Sequence, residues 1–112
     1  MMSEFQSLYF NDDGYVIRCK QCGYYQVAFM STMLMMKERD FQSLYKLVKF
    51  KCNEENYCDS ENIKSIIIHT PAEGFYIFLT NQEAKRFCEI LEEADNADNE
   101  YKSQALISLF NP

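Results

Sequence analysis

The residues best suited to chemistry are Cys19 and Cys22, within Tyr15-Val16-Ile17-Arg18-Cys19-Lys20-Gln21-Cys22-Gly23-Tyr24. A Cys-x-x-Cys pair across a hairpin turn aims both sulfurs at one spot. The glycine that follows can take the positive φ that lets backbone amides donate to a thiolate. This is the pattern of a zinc-ribbon knuckle, and zinc is the cofactor it would take. It is only half a structural site, because closed zinc sites use four ligands and the chain has no second Cys-x-x-Cys. The other candidate ligands are Cys52, Cys58, His69 and Cys88.

Cys-x-x-Cys also serves thiol–disulfide exchange, where the first cysteine sits at a helix N-terminus whose dipole lowers its pKa. Here Tyr24-Tyr25-Gln26-Val27-Ala28-Phe29 favours a strand instead. With a single His, no nucleophile elbow and no phosphate loop, no other catalytic constellation can be assembled.

Ranking the ligands requires the elements that carry them. Tyr15–Arg18 and Tyr24–Phe29 read as strands joined by the Cys19–Gly23 turn, and Met33–Met36 as a third after a tight turn at Ser31-Thr32. From Glu38 the apolar period becomes helical, with Phe41, Leu44, Tyr45 and Val48 on one face to about Lys51. A polar stretch from Asn53 to Asn62 follows, then strands Ile63–His69 and Phe75–Leu79 around Pro71–Gly74. Thr80-Asn81-Gln82-Glu83 fits a capping box opening a helix with Ala84, Phe87, Cys88 and Leu91 on its apolar stripe. Asp95–Asn99 predicts a break with Asp98 as a new N-cap, and Tyr101, Ala105, Leu106 and Leu109 a final helix that closes the core or meets another subunit.

Residues 1–13, with Phe5, Leu8, Tyr9 and Phe10, fit a short helix or an irregular edge. Phe5-Gln6-Ser7-Leu8-Tyr9 recurs as Phe41-Gln42-Ser43-Leu44-Tyr45 between unrelated flanks. A shift of 43 residues carries Leu34, Met36, Phe41, Leu44, Tyr45 and Val48 onto Ile77, Leu79, Ala84, Phe87, Cys88 and Leu91. That suggests a duplicated strand–turn–strand–helix unit with one extra strand in front, although ordinary amphipathic helices agree this well by accident.

The expected architecture is α+β: about five antiparallel strands, two helices on one face and a C-terminal helix, in one domain over residues 1–112. A helix of fourteen residues from the knuckle end carries Cys52 about 20 Å away, and Cys58 can barely return. The Ile63–His69 strand finishes near the knuckle, so His69 joins Cys19 and Cys22 as the metal candidates. The plainer role for His69 is to cap a turn before Thr70-Pro71, and Cys88 reads as a small core residue.

The odd count of five cysteines reads as thiols or metal ligands in a reducing compartment. Met1–Phe5 has no basic segment leading into an apolar run, so the cytoplasm is the expected location. No run approaches the roughly 18 apolar residues that span a bilayer. The formal charge of −6 is uneven: residues 18–51 carry seven Lys/Arg against two acids, and residues 81–100 seven acids against two bases. The excess of acid argues against a nucleic-acid partner and leaves a protein partner or a second copy.

The segment Gly14-Tyr15-Val16…Cys19…Cys22-Gly23…Gln26…Phe29, followed by a strand and the Asp40-Phe41 helix start, resembles a family of small Bacteroidetes proteins catalogued as a domain of unknown function. The resemblance spans about Gly14 to Glu93. It implies an intact domain and a role for Cys19 and Cys22, and no reaction. The sequence thus favours a non-enzymatic interaction or regulatory module with a zinc-knuckle-like hairpin; the alternative is a thiol–disulfide redox protein using Cys19 and Cys22.

Overall fold

The computed structural model describes residues 4–53, 64 and 66–110. In chain order the elements are β1 (Phe5–Asn11), β2 (Gly14–Cys19), β3 (Tyr25–Phe29), β4 (Thr32–Met36), α1 (Glu38–Asn53), β5 (Ile66–His69), β6 (Tyr76–Leu79) and α2 (Asn81–Phe110). The α+β class is as expected, with a different division of the strands. The first four form an antiparallel meander in the order β1-β2-β3-β4, while β5 and β6 pair in a hairpin of their own.

The opening segment, expected as a helix or irregular edge, is strand β1. Its register against β2 shifts between Ser7 and Tyr9. That bulge lets two neighbours turn the same way: Leu8 is buried, and the Tyr9 ring reaches Arg86 of α2. A period of two is broken in the middle of the strand, which hides it from a pattern reading. The β3–β4 turn falls one residue earlier than expected, at Met30-Ser31, with Met30 at φ 55.

The inner face of the meander presents Val16, Tyr25, Val27, Phe29, Leu34 and Met36, all buried. Both helices cover it. Tyr25 stacks on Phe41 of α1 and Phe29 on Phe87 of α2, each with centroids 4.7 Å apart. The β5–β6 hairpin adds Ile66, Ile68, Ile77 and Leu79 to the same core, β5 packing on α1 and β6 on α2.

Strand–turn–strand–helix does occur twice, as β3-β4-α1 and β5-β6-α2. The buried cross-strand pairs correspond: Tyr25↔Met36 and Val27↔Leu34 in one, Ile66↔Leu79 and Ile68↔Ile77 in the other. Two strands precede the first unit, where the sequence suggested one.

Helix α2 begins at the expected capping box: Glu83 N–H donates to Thr80 Oγ1 at 3.1 Å, and Thr80 N–H to Glu83 Oε1 at 2.9 Å. The expected break at Asp95–Asn99 is absent, and α2 runs 30 residues without interruption. Asp98 does not cap a new helix; it is fully buried and held by side chains of other elements. Those tertiary partners satisfy the carboxylate that local reasoning assigned to backbone amides. The last part of α2 does not close the core either. Every residue from 103 to 110 is exposed, because the sheet and α1 end where Lys102 meets Glu38.

Candidate functional site

The Cys19–Gly23 segment forms the turn between β2 and β3. Cys19 ends β2, Gly23 takes φ 75, and β3 starts two residues later. Cys19 N–H donates to Tyr24 O at 2.8 Å and Gly23 N–H to Cys19 O at 3.0 Å, closing the turn. Cys22 N–H points at Cys19 Sγ, 3.3 Å away. The Cys22 thiol and the surrounding backbone amides hold the Cys19 thiol below its ordinary pKa. Cys19 is half-buried and Cys22 exposed. The chain leaves the pair as a strand, so neither sulfur sits at a helix N-terminus.

The remaining candidates lie elsewhere. His69 is exposed at the end of β5, edge-on to the Tyr76 ring at 4.9 Å, beside Asp40 and Ser43 of α1. The β5–β6 turn is tied by the Thr70 hydroxyl, which donates to Phe75 O at 2.6 Å and Ala72 O at 3.2 Å. Cys52, at the end of α1, lies beside Cys88, whose thiol burial and the Cys52 neighbour push up to about 12. Cys58 falls outside the described residues. Among the described residues, no three His, Cys, Asp or Glu side chains are grouped to hold a metal ion.

A different feature stands out on the outer face of the meander. Strand alternation turns Phe10, Tyr15, Ile17, Gln26, Ala28, Met33 and Met35 away from the helices. None carries a charge. Phe10 is 80% exposed, Met33 56% and Met35 62%. The face is knitted together across strands: Gln26 Nε2 donates to Tyr15 Oη at 2.5 Å and to Met33 Sδ at 3.0 Å, and Phe10 stacks on Tyr15 at 6.4 Å. The signal for it was in the sequence. Tyr15-Val16-Ile17 and Met33-Leu34-Met35-Met36 are unbroken apolar runs, where an antiparallel strand with one wet face alternates.

The model of a family of unknown function, DUF6686, matches residues 1–109. The chain belongs to that family. Neither a curated protein nor a solved structure gives a match.

The match takes in two further clusters of this DUF6686 chain that sequence reasoning missed, because their members are far apart in the chain. At the knuckle end, buried Asp98 gathers Arg18 of β2, the Tyr25 hydroxyl at 2.5 Å and Lys102 at 3.0 Å. Burial and the carboxylate together raise the Tyr25 pKa. At the opposite end, Arg86 Nε donates to Asp13 Oδ2 at 2.5 Å and its other nitrogens reach Tyr9 Oη and Glu89. The guanidinium holds the Asp13 carboxyl below its usual range. A cleft of about 520 Å³ opens beside that cluster, with Phe29 and Met30 in its lining. Its Arg86 is already neutralised by Asp13 and Glu89, so no unpaired charge of that residue awaits a ligand. No helix among the described residues of the DUF6686 chain is long and apolar enough to cross a membrane.

Proposed function

We propose that this chain is a non-enzymatic interaction module that docks on a protein partner through the outer face of its four-stranded sheet. The observation that carries this is a face of seven uncharged side chains, including Phe10, Met33 and Met35, on a chain of net charge −6. Contiguous apolar surface on a soluble fold marks an interaction site. Two of its exposed members are methionines, whose flexible thioethers mould to an apolar partner. In this reading the knuckle is structural: it closes the β2–β3 turn and keeps those strands in register.

The test uses the tagged chain in its own cells. It should migrate within a larger complex, and Met33→Glu with Met35→Glu should return it to its own mass with its circular dichroism unchanged. Migration independent of the two substitutions would overturn the proposal.

A second reading rests on the amide-to-sulfur bond at Cys19, which favours thiolate, the form that binds zinc. Cys19 and Cys22 would supply two ligands, with His69 proposed as a third. Protein purified without chelator should then carry about one equivalent of zinc per chain, reduced by His69→Ala, and metal binding should appear as folding stability. Absence of bound zinc after incubation with the ion removes this reading.

A further inference from the structure

The exposed end of α2 has the same chemistry as the outer sheet face. Residues 103–110 read Ser-Gln-Ala-Leu-Ile-Ser-Leu-Phe, without a charge. Leu106 is 57% exposed, and Leu109 and Phe110 are 77% exposed. Lys102 of α2 pairs with Glu38 and Asp98. Beyond it the helix projects about 12 Å at a rise of 1.5 Å per residue. Short helices are marginal in water and draw their stability from packing an apolar face. Here Leu106, Leu109 and Phe110 lie three and four residues apart, on one stripe.

We infer that the partner on the outer sheet face is a second copy of this chain, whose α2 end lies across that face, the exchange being reciprocal about a two-fold axis. The inference rests on the docking face proposed above. Charge is the first argument. Two chains of −6 repel, so a self-contact must join surfaces without acids, and these two surfaces have none. Area is the second. Stable pairs bury about 800 Å² per partner. Two helical ends about 12 Å long touching only each other fall well short of that. Four strands spaced about 4.8 Å give a face broad enough to cover one such end, and a two-fold axis doubles the contact. The third is position. Asp98 and Lys102 fix α2 to Arg18 and Glu38, so the projecting end leaves from the inner face, opposite Ile17, Gln26 and Met35, and is placed to reach the outer face of another copy and not its own. The β5–β6 hairpin also exposes Ile67, Tyr76 and Phe78, but its two strands offer half the width.

Sedimentation of the purified full-length chain over a wide concentration range tests this. The unmodified chain should sediment at twice the chain mass. Leu106→Glu with Leu109→Glu, and separately Met33→Glu with Met35→Glu, should each weaken association at least tenfold, while Phe78→Glu should leave it unchanged. All five positions are solvent-exposed, and circular dichroism checks that the variants fold. A photoreactive residue at Leu109 should crosslink to the β2–β4 segment of the other copy. Crosslinking to Leu109 of the other copy, or to β6, would overturn the arrangement. A chain that is monomeric at every concentration also overturns it. If that monomer still loses its larger cellular complex on Met33→Glu with Met35→Glu, the docking face stands and only the identity of the partner fails.

Discussion

The Tyr25 hydroxyl donates to Asp98 Oδ2 at 2.5 Å, joining the first residue of β3 to the middle of α2 across 73 positions of the chain. Asp98 is fully buried and also holds Arg18 and Lys102. Two cations and a phenol give one carboxylate the partners that burial demands. The same contact fixes where α2 leaves the body.

Removing that carboxylate should cost more than removing any one partner. Asp98→Ala leaves the Arg18 and Tyr25 polar groups without their acceptor, and should destabilise by roughly 3–5 kcal/mol. Tyr25→Phe removes one of three partners and should cost roughly 1–2 kcal/mol. Urea unfolding measures both. A loss below that of Tyr25→Phe would show that α2 is not anchored through Asp98.

Acid should weaken the fold through Asp13 and Glu83. Both folded pKa values lie below the ordinary ones, Asp13 through Arg86 and Glu83 through Lys64. At acid pH the unfolded chain therefore binds more protons, and stability rises with pH. This contribution is complete above the unfolded values of 3.8 and 4.5, and is lost as pH falls through the depressed folded ones. Asp13→Asn with Glu83→Gln should be less stable at neutral pH, and its stability should fall less between about pH 5 and pH 2. Parallel profiles would contradict the assignment.

The glycines should respond for different reasons. A Cβ on Gly14 would lie 2.3 Å from the Ala28 carbonyl oxygen. Backbone cannot yield as a side chain can, and Gly14→Ala should cost about 3 kcal/mol or more by overpacking. At Gly23 a Cβ meets nothing within 4 Å, and only φ 75 opposes it. Gly23→Ala should cost about 1–2 kcal/mol. Thermal unfolding of the two variants should keep that order.

Thiol reactivity should divide the cysteines. Exposed Cys22 should react with a disulfide reagent in the native protein. Buried Cys88, its thiol pushed up to about 12, should react only when the chain unfolds. Peptide mapping after brief labelling reads the difference. Early labelling of Cys88 would mean that α1 and α2 separate readily beside Cys52.

Much of the fold was legible because its signals are local. The switch from a period of two to 3.6 after Met36 marks α1, the Thr80/Glu83 box starts α2, and Gly23 shapes the β2–β3 turn. Each is set by residues a few positions apart, whose backbone and capping preferences act before the chain is packed. Cys19 and Cys22 were legible in the same way, as neighbours across one turn.

What lay beyond the sequence depended on partners distant in the chain. Phe5-Gln6-Ser7-Leu8-Tyr9 is strand in β1, and the identical Phe41-Gln42-Ser43-Leu44-Tyr45 is helix in α1. The strand buries Leu8 against the helices through a bulge, whereas the helix buries both Phe41 and Leu44 on one stripe. Five residues with the same propensities take whichever backbone buries their apolar side chains against what is next to them. Asp98 follows the same rule. Read alone it caps a helix; placed under Arg18 and Tyr25 it sits within one, because a buried carboxylate is satisfied by whichever donors the tertiary fold brings to it.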